Sequence, residues 1–392
     1  MNYFKQMAAL LLLTLLVGCS TTHPLENRVP EQGYQLASVA NKAKLHSKEP
    51  LRFWAGEQSD FLYSELTQST PLSVNGDALN ILVLSGGGAK GAFGAGVVNG
   101  LYDHDQLEQY TIVTGVSAGA LIAPFAFLGG DEVPRLKQVM LGINDKKVIG
   151  SRNFLNTLFK DAFTNGDNML EFIAKVYNPE MIEQIAKQHQ AGRRLFIGTT
   201  HFDSGRLSIW NIGQIADSDI ENKVAFIHQI LAASSSIPGV FPPQFIQVQY
   251  QGEQYEELHV DGGMSAQMFF EPVTTDYDKV SKALGLTQQP YIHAIRNGML
   301  TMPYEVIPDK GLPLLTRSLK SLTVLQSRGD LYKMLYDSER QHIDLRFTYV
   351  DNEFDAPTGS KDMFDAEYMQ ALYGYGYNKV VKGTVWTQAV PN

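Results

Sequence analysis

The chain has 392 residues, of which 44% are hydrophobic and 19% charged, with a net charge of −9. These are the proportions of a folded globular protein with one large or two ordinary domains. The acidic balance argues against a nucleic-acid partner, whose phosphates need a basic surface, but leaves open a lipid surface met through apolar contacts. Cys19 is the only cysteine, which excludes an intramolecular disulfide and a cysteine-based metal site. No set of His, Asp and Glu has ligand spacing, so the sequence implies neither a metal nor a cofactor.

Lys5 is the only positive charge of a short leading segment, and Met7 to Val17 is almost wholly apolar. That run is about eleven residues, too short to span a bilayer, and fits the core of a signal peptide. Leu16-Val17-Gly18-Cys19 resembles the lipobox of bacterial lipoproteins. The resemblance implies a leader over residues 1–18, lipidation of Cys19 and a firm hold on a membrane through the acyl chains. Ser20, rather than Asp, resembles the outer-membrane sorting pattern, so the implied location is the bacterial cell envelope, at the outer membrane facing the periplasm. The competing reading is a plain secretory signal with a chance cysteine. The polar stretch that follows, with Pro24, Pro30 and Pro50, reads as a tether over residues 19–50.

Leu51 to Leu72 carries Phe53, Trp54, Phe61, Leu62, Tyr63 and Leu66 and reads as a short helix packed on the domain. Leu79 to Leu84 is a continuous apolar run of the kind that central parallel strands show. It ends in Ser85-Gly86-Gly87-Gly88-Ala89-Lys90-Gly91, and a helix then runs to about Tyr102. Gly86-x-Gly88-x-x-Gly91 spells the dinucleotide-binding fingerprint, with Asp103 or Asp105 near where a ribose-binding acid sits. A phosphate P-loop fails for want of Gly-Lys-Ser/Thr. A third reading is an oxyanion hole made of exposed backbone N–H groups. Purely structural glycines are the fourth.

The next strand weighs between them. Tyr110 to Thr114 leads into Gly115-Val116-Ser117-Ala118-Gly119, and the small apolar residues from Ala118 to Leu128 lead out. Strand, sharp turn and helix with a serine at the apex make the nucleophile-elbow pattern G-x-S-x-G. A dinucleotide fold has no use for such an elbow, whereas an acyl-transfer enzyme needs both the elbow and the hole.

From Asp131 to Gln190 the pattern is helical, with Phe154, Leu155, Leu158, Phe159 and Phe163, and later Met181, Ile182 and Ile185, at helical spacing. Core helices beside the sheet are the plain reading, and a cap over an acyl-binding cleft the sharper one. Leu195 to Thr200 and Arg206 to Trp210 are strands about an Asp203-Ser204-Gly205 turn. Val224 to Ser234 is a helix stopped by a proline-rich segment at Ile237 to Pro243. Ser234, Ser235 and Ser236 lack an elbow and read as helix-end packing. Strands at Phe245 to Tyr250 and Tyr255 to Val260 follow, and the second ends in Asp261-Gly262-Gly263. There an acid at a tight turn either faces a cleft or merely makes an Asp-Gly turn. Tyr291 to Arg296 is a strand. Leu314, Leu315, Leu319, Leu322 and Leu325 form a helical apolar stripe, with Arg317, Lys320 and Arg328 elsewhere on that helix. A solvated basic face is the plain reading and a membrane-facing patch the alternative. A strand at Ile343 to Val350 and a tyrosine-rich helix at Met363 to Val381 close the chain.

Ser-Gly-Gly-Gly-Ala-Lys-Gly at 85–91, Gly-Val-Ser-Ala-Gly at 115–119 and Asp-Gly-Gly at 261–263 resemble, in order, the three signatures of the patatin-like phospholipase family. Ala232 to Pro243 is similar to the segment before that family's aspartate, and the resemblance covers roughly residues 78–275. There are two departures. Lys90 stands where many members have Arg, and the Asn-x-Pro that often follows Asp-Gly-Gly is replaced by a stretch ending in Glu271-Pro272.

The family resemblance implies a three-layer α/β/α domain over residues 51–392 with a mainly parallel sheet, residues 276–392 being an extension of the motif core. It also implies a Ser-Asp dyad, with Ser117 as nucleophile and Asp261 as its partner. The N–H groups of Gly87, Gly88, Ala89 and Ala118 would form the oxyanion hole. Gly86, Lys90, Gly91, Gly115, Gly119, Gly262 and Gly263 complete the motifs. None of the nine histidines stands in a motif, including His259 two residues before Asp261, so the aspartate is expected to act directly. The expected activity is cleavage of fatty-acyl esters of phospholipids or lysophospholipids. A carboxylesterase or thioesterase with a soluble substrate and a non-catalytic envelope scaffold are the alternatives.

Overall fold

Apolar runs without alternation form the middle of the sheet, because strands covered on both faces have no polar side to show. The computed structural model describes residues 27–39, 49–57, 60–149, 166–270, 272–354 and 362–391. Its first half contains β1 (Arg52–Trp54), β2 (Asn80–Leu84), α1 (Gly91–Asp103), β3 (Ile112–Val116), α2 (Ala118–Leu128), α3 (Glu132–Leu141), α4 (Asp145–Val148), α5 (Asp167–Val176) and α6 (Pro179–Gln190). The second half contains β4 (Arg194–His201), β5 (Arg206–Asn211), α7 (Ile212–Asp217), α8 (Lys223–Ser234), β6 (Gln244–Tyr250), β7 (Glu253–Asp261), α9 (Tyr277–Ala283), β8 (Tyr291–Ile295), α10 (Gly311–Arg340), β9 (Asp344–Thr348) and α11 (Ala366–Val381).

The strands form one mixed sheet in the order β1-β5-β4-β3-β2-β8-β9, with the hairpin β6–β7 joined at β4. From β4 to β9 every pairing is parallel, whereas β5, β1 and the hairpin are antiparallel. Successive side chains of β2 go to opposite faces. Leu82 and Leu84 join the core beneath α1, α2, α6 and α11, while Ile81 and Val83 join the core beneath α9 and α10. The architecture is thus three layers, α/β/α, as the motifs implied.

One register detail positions the site. β3 pairs with β4 as far as Val116 opposite Gly198. β7 takes over the same edge of β4 at the next residue, with Asp261 opposite Thr199. The C-terminal ends of β3 and β7 therefore meet head-on beside the Gly198–Thr199 peptide.

Three expectations are corrected. Residues 51–72 supply a strand, β1, rather than a helix, because the open edge of β5 takes Arg52 to Trp54 as a partner. The tether reading fails at residues 27–39 and 49–50. Ser38 and Gln249 exchange backbone hydrogen bonds of 2.9 and 2.8 Å, and the buried Glu49 carboxylate pairs with the buried Arg194 guanidinium. These residues close the β6 edge and neutralise an interior charge, roles that a polar composition does not betray. The reading of α10 as a solvated basic face is incomplete: Lys320 is exposed and Arg317 and Arg328 partly so, but the stripe of Leu314, Leu315, Leu319, Leu322 and Leu325 is exposed as well. Cys19, the leader, the rest of the tether and Phe154 to Phe163 lie outside the described residues.

Candidate active site

Ser117 sits between β3 and α2 with φ 53° and ψ −124°, a conformation that side chains other than glycine rarely adopt. The neighbouring glycines allow it. A Cβ on Gly119 would stand 2.2 Å from the Leu84 carbonyl oxygen, and one on Gly115 2.6 Å from that of Gly119. Ser234, at the end of α8, fastens the turn. Its hydroxyl accepts from the Ser117 N–H at 2.9 Å and donates to the Gly198 carbonyl at 2.7 Å. Ser234 is thus structural and the Ser236 hydroxyl is held by the Ala232 carbonyl at 2.8 Å, whereas Ser235 lines the cleft beside Ser117 with no hydrogen-bond partner for its buried hydroxyl.

The strand ends bring Asp261 to Ser117. The Ser117 hydroxyl donates to Asp261 Oδ2 at 2.7 Å, and the Gly263 N–H donates to Asp261 Oδ1 at 2.7 Å. The Asp261 N–H is held by the Ser236 carbonyl at 3.0 Å, and its own carbonyl accepts from the Thr200 hydroxyl at 2.9 Å. Burial pushes the Asp261 carboxyl up to about 6, against the pull of its two hydrogen bonds. Such a group is ionised at neutral pH yet close enough to its pKa to take and return a proton.

The glycine loop lies on the other side of Ser117. A Cβ on Gly86 would be 3.2 Å from Ser117 Cβ, and one on Gly91 2.8 Å from Ala118 Cβ. Gly88 has φ 56° with nothing near its missing Cβ, and it lines the same cleft as Ser117 and Ala118. Among the described residues the N–H groups of Gly87, Gly88, Ala89 and Ala118 bond to no protein acceptor. Of these four, Gly88 and Ala118 line the cleft with Ser117, which stands at the end of a strand and the start of a helix, where negative charge is favoured.

Three residues that hold this loop have no motif of their own. Leu84 of β2 pairs with Ile295 of β8, so the chain leaving β8 runs beside the loop. Asn297 donates from Nδ2 to the Ser85 carbonyl at 2.7 Å and accepts at Oδ1 from the Gly94 N–H at 2.9 Å. Arg296 donates from Nη1 to the Gly86 carbonyl at 2.8 Å, and its burial pushes the guanidinium down to about 10. Gln267 joins the two halves of the site. Its carbonyl accepts from the Gly86 N–H at 2.9 Å, and its Nε2 donates to the Gly263 carbonyl at 2.8 Å. The available signal was a polar Arg-Asn pair directly after an apolar strand. Lys90 lies beside this cluster, pushed down to about 8 by burial and by the charges of Arg296 and Lys320.

Beyond Ser117 and Ser235 the cleft is apolar, lined by Leu121, Met140, Ile143, Val148, Met169, Phe172, Ile237, Phe241, Phe364 and Met369. Helices α3 to α5 therefore belong both to the core and to the wall of the cleft. The histidines are engaged elsewhere. His259 bonds to the Thr199 hydroxyl at 2.9 Å and to Glu257 at 3.1 Å. His293 bonds to the Tyr110 hydroxyl, and His228 to the Tyr177 carbonyl. Among the described residues no histidine hydrogen-bonds to Ser117 or Asp261, and no group of three or more His, Cys, Asp or Glu could hold a metal ion.

Residues 82–274 match the family model described as patatin-like phospholipase. Among solved structures the chain is similar to VipD from Legionella pneumophila, at 14% identity over 82% of this chain and 68% of that one, with a TM-score of 0.39. It is similar to the type III effector protein ExoU at 14% identity over 79% of this chain and 53% of that one, with a TM-score of 0.34. Against full-length ExoU of Pseudomonas aeruginosa in complex with SpcU, identity is 15% over 80% of this chain and 62% of that one, with a TM-score of 0.28. The chain thus spans between about half and two thirds of the length of these structures. No curated protein sequence matches it. Residues 82–274, which hold all three glycine-bearing motifs around one apolar cleft, form a domain of the patatin-like phospholipase family, a family of lipid acyl hydrolases.

Proposed function

We propose that the protein hydrolyses fatty-acyl esters of phospholipids or lysophospholipids through a Ser117–Asp261 dyad. The observation that carries this reading is the 2.7 Å hydrogen bond from the Ser117 hydroxyl to the Asp261 carboxylate. Asp261 takes the hydroxyl proton as Ser117 Oγ attacks the ester carbonyl. The resulting oxyanion is received by the N–H groups of Gly87, Gly88, Ala89 and Ala118, with the Arg296 and Lys90 cations beneath the loop adding favourable potential. One lost donor in such a hole typically costs about 3 kcal/mol of barrier. The intermediate collapses, the C–O bond breaks, and Asp261 returns its proton to the departing alcohol. Water then gives a proton to Asp261 and attacks the acyl-serine. The fatty acid leaves and the proton goes back to Ser117.

The apolar cleft suits an acyl chain, and lipidation of Cys19 would hold the enzyme at the envelope membrane that supplies its substrate. The test is hydrolysis of a panel of phospholipids and lysophospholipids against short p-nitrophenyl esters, with Ser117→Ala as control. Ser117→Ala is expected to abolish hydrolysis and fluorophosphonate labelling while the fold persists. Residual hydrolysis in that variant would refute the dyad. Activity confined to the short soluble esters would refute the lipid substrate.

A further inference from the structure

Ser235 closes α8 between two neighbours that hold the dyad. The Ser234 hydroxyl accepts from the Ser117 N–H at 2.9 Å, and the Ser236 carbonyl accepts from the Asp261 N–H at 3.0 Å. The backbone of Ser235 is engaged, its N–H with the Ala232 carbonyl and its carbonyl with the Ile237 N–H, both at 3.0 Å. A serine near a helix end commonly turns its hydroxyl back onto a carbonyl of the preceding turn, as Ser236 does onto Ala232 at 2.8 Å. The Ser235 hydroxyl does not. It is buried, on a residue only 6% exposed, and has no hydrogen-bond partner among the described residues.

The same residue lines the cleft with Gly88, Ser117 and Ala118, and Ser117 and Ser235 are the only hydroxyl-bearing side chains among its described lining. A buried hydroxyl without a partner is costly, so in an apolar wall its partner must come from what enters the cleft. A fatty-acyl ester is polar only at its ester group, which has to stand at Ser117 to react. That group offers two oxygens. The carbonyl oxygen, which becomes the oxyanion, belongs with the free N–H groups. The alkoxy oxygen belongs with Asp261, which returns a proton to it, and Ser235 lies on the segment that fixes the Asp261 backbone.

We propose that the Ser235 hydroxyl donates a hydrogen bond to the alkoxy oxygen of the scissile ester and is a catalytic residue for its departure. This role rests on the dyad reading of Ser117 and Asp261. As the C–O bond breaks, its electron pair goes to the alkoxy oxygen; the proton that oxygen receives comes from Asp261, and Ser235 keeps its own. The hydrogen bond strengthens as charge builds on the oxygen, so it lowers the barrier rather than only tightening binding. Divalent sulfur is a weak acceptor, and a thioester draws little such help. Ser235 thereby makes the site selective for oxygen esters over thioesters.

The test compares ethyl octanoate with S-ethyl thiooctanoate on the full chain. Both give the same acyl-serine, so the ratio of their kcat/KM values reports only the formation of that intermediate. Ser235→Ala is expected to lower kcat/KM about tenfold for the oxygen ester and to leave the thioester within about twofold, as the loss of one hydrogen bond to a partly charged oxygen requires. Ser235→Cys, which keeps a side chain there but offers a weak donor, is expected to shift the ratio the same way. The thermal midpoint of Ser235→Ala should not fall, since the hydroxyl removed has no protein partner; a fall would show that the hydroxyl is already engaged and would overturn the proposal. An active Ser235→Ala with the parent's ester-to-thioester ratio, whether both rates are kept or both are lowered alike, overturns the proposal and leaves the dyad standing. If the parent cleaves neither substrate and Ser117 takes no fluorophosphonate, the hydrolase reading fails and the role of Ser235 with it.

Discussion

Replacing Asp261 with Asn should abolish hydrolysis and, at the same time, stabilise the protein. The wild-type carboxyl is buried, and its pKa is raised to about 6. An ordinary Asp titrates near 4, so the native state holds this proton about two units more tightly than the unfolded chain. Between about pH 4 and 6 the native state therefore binds more protons than the unfolded state, and stability falls as pH rises through that window. Above it, holding the charge costs about 3 kcal/mol. Asn has the same shape. Its Oδ1 still accepts from the Gly263 N–H, and its Nδ2 donates to the Ser117 hydroxyl, reversing that bond. Urea unfolding of both proteins should show Asp261→Asn more stable by about 2–3 kcal/mol at about pH 8, and nearly equal at about pH 4. An equal change at both pH values, or destabilisation at the higher one, would refute the argument that burial of a charge sets the pKa.

The rate should carry the same titration. With a short soluble ester, kcat/KM is expected to fall about tenfold per pH unit below about 6 and to level off above, since only the carboxylate accepts the serine proton; a profile centred near 7 would implicate a histidine instead. His259→Gln is expected to lower stability by about 1–3 kcal/mol through the Thr199 and Glu257 partners it disturbs, with kcat nearly unchanged. A folded but inactive variant would place His259 in the reaction beside Ser117 and Asp261. Gly119→Ala is expected to cost about 3 kcal/mol or more, because its Cβ would meet the Leu84 carbonyl, which is backbone and cannot swing away. Thermal unfolding close to that of the parent would show that the elbow is looser than described.

The motif residues were legible because each is bound to a local backbone demand. Ser117 needs a positive φ between a strand and a helix, and Gly88 a positive φ within the loop. Such demands restrict residue type over a few positions and so leave a pattern. Asn297, Arg296 and Gln267 serve the site across long sequence separations, and nothing in their own neighbourhoods requires them. Glu49 was hidden for the same reason: its meaning lies in Arg194, 145 residues away. The leucine stripe on α10 was visible as a period but not as a direction. Helical spacing says that Leu315, Leu319 and Leu322 share a face, and only the position of β9 and the core says that this face looks outward.

The head-on meeting of β3 and β7 has a consequence for timing. Ser117 and Asp261 are 144 residues apart, and their contact depends on β7 pairing just past the end of β3. A chain made from its N-terminus displays the serine, its glycine loop and the first three strands well before the aspartate has emerged. Until the hairpin settles on the last residues of β4, that hydroxyl has no acceptor for its proton. Non-local strand pairing is among the slower steps of folding. On the proposed dyad, reactivity at Ser117 is a late event in the life of the chain, and the rate at which a refolding sample becomes reactive toward a serine-directed probe would measure the closing of this one seam.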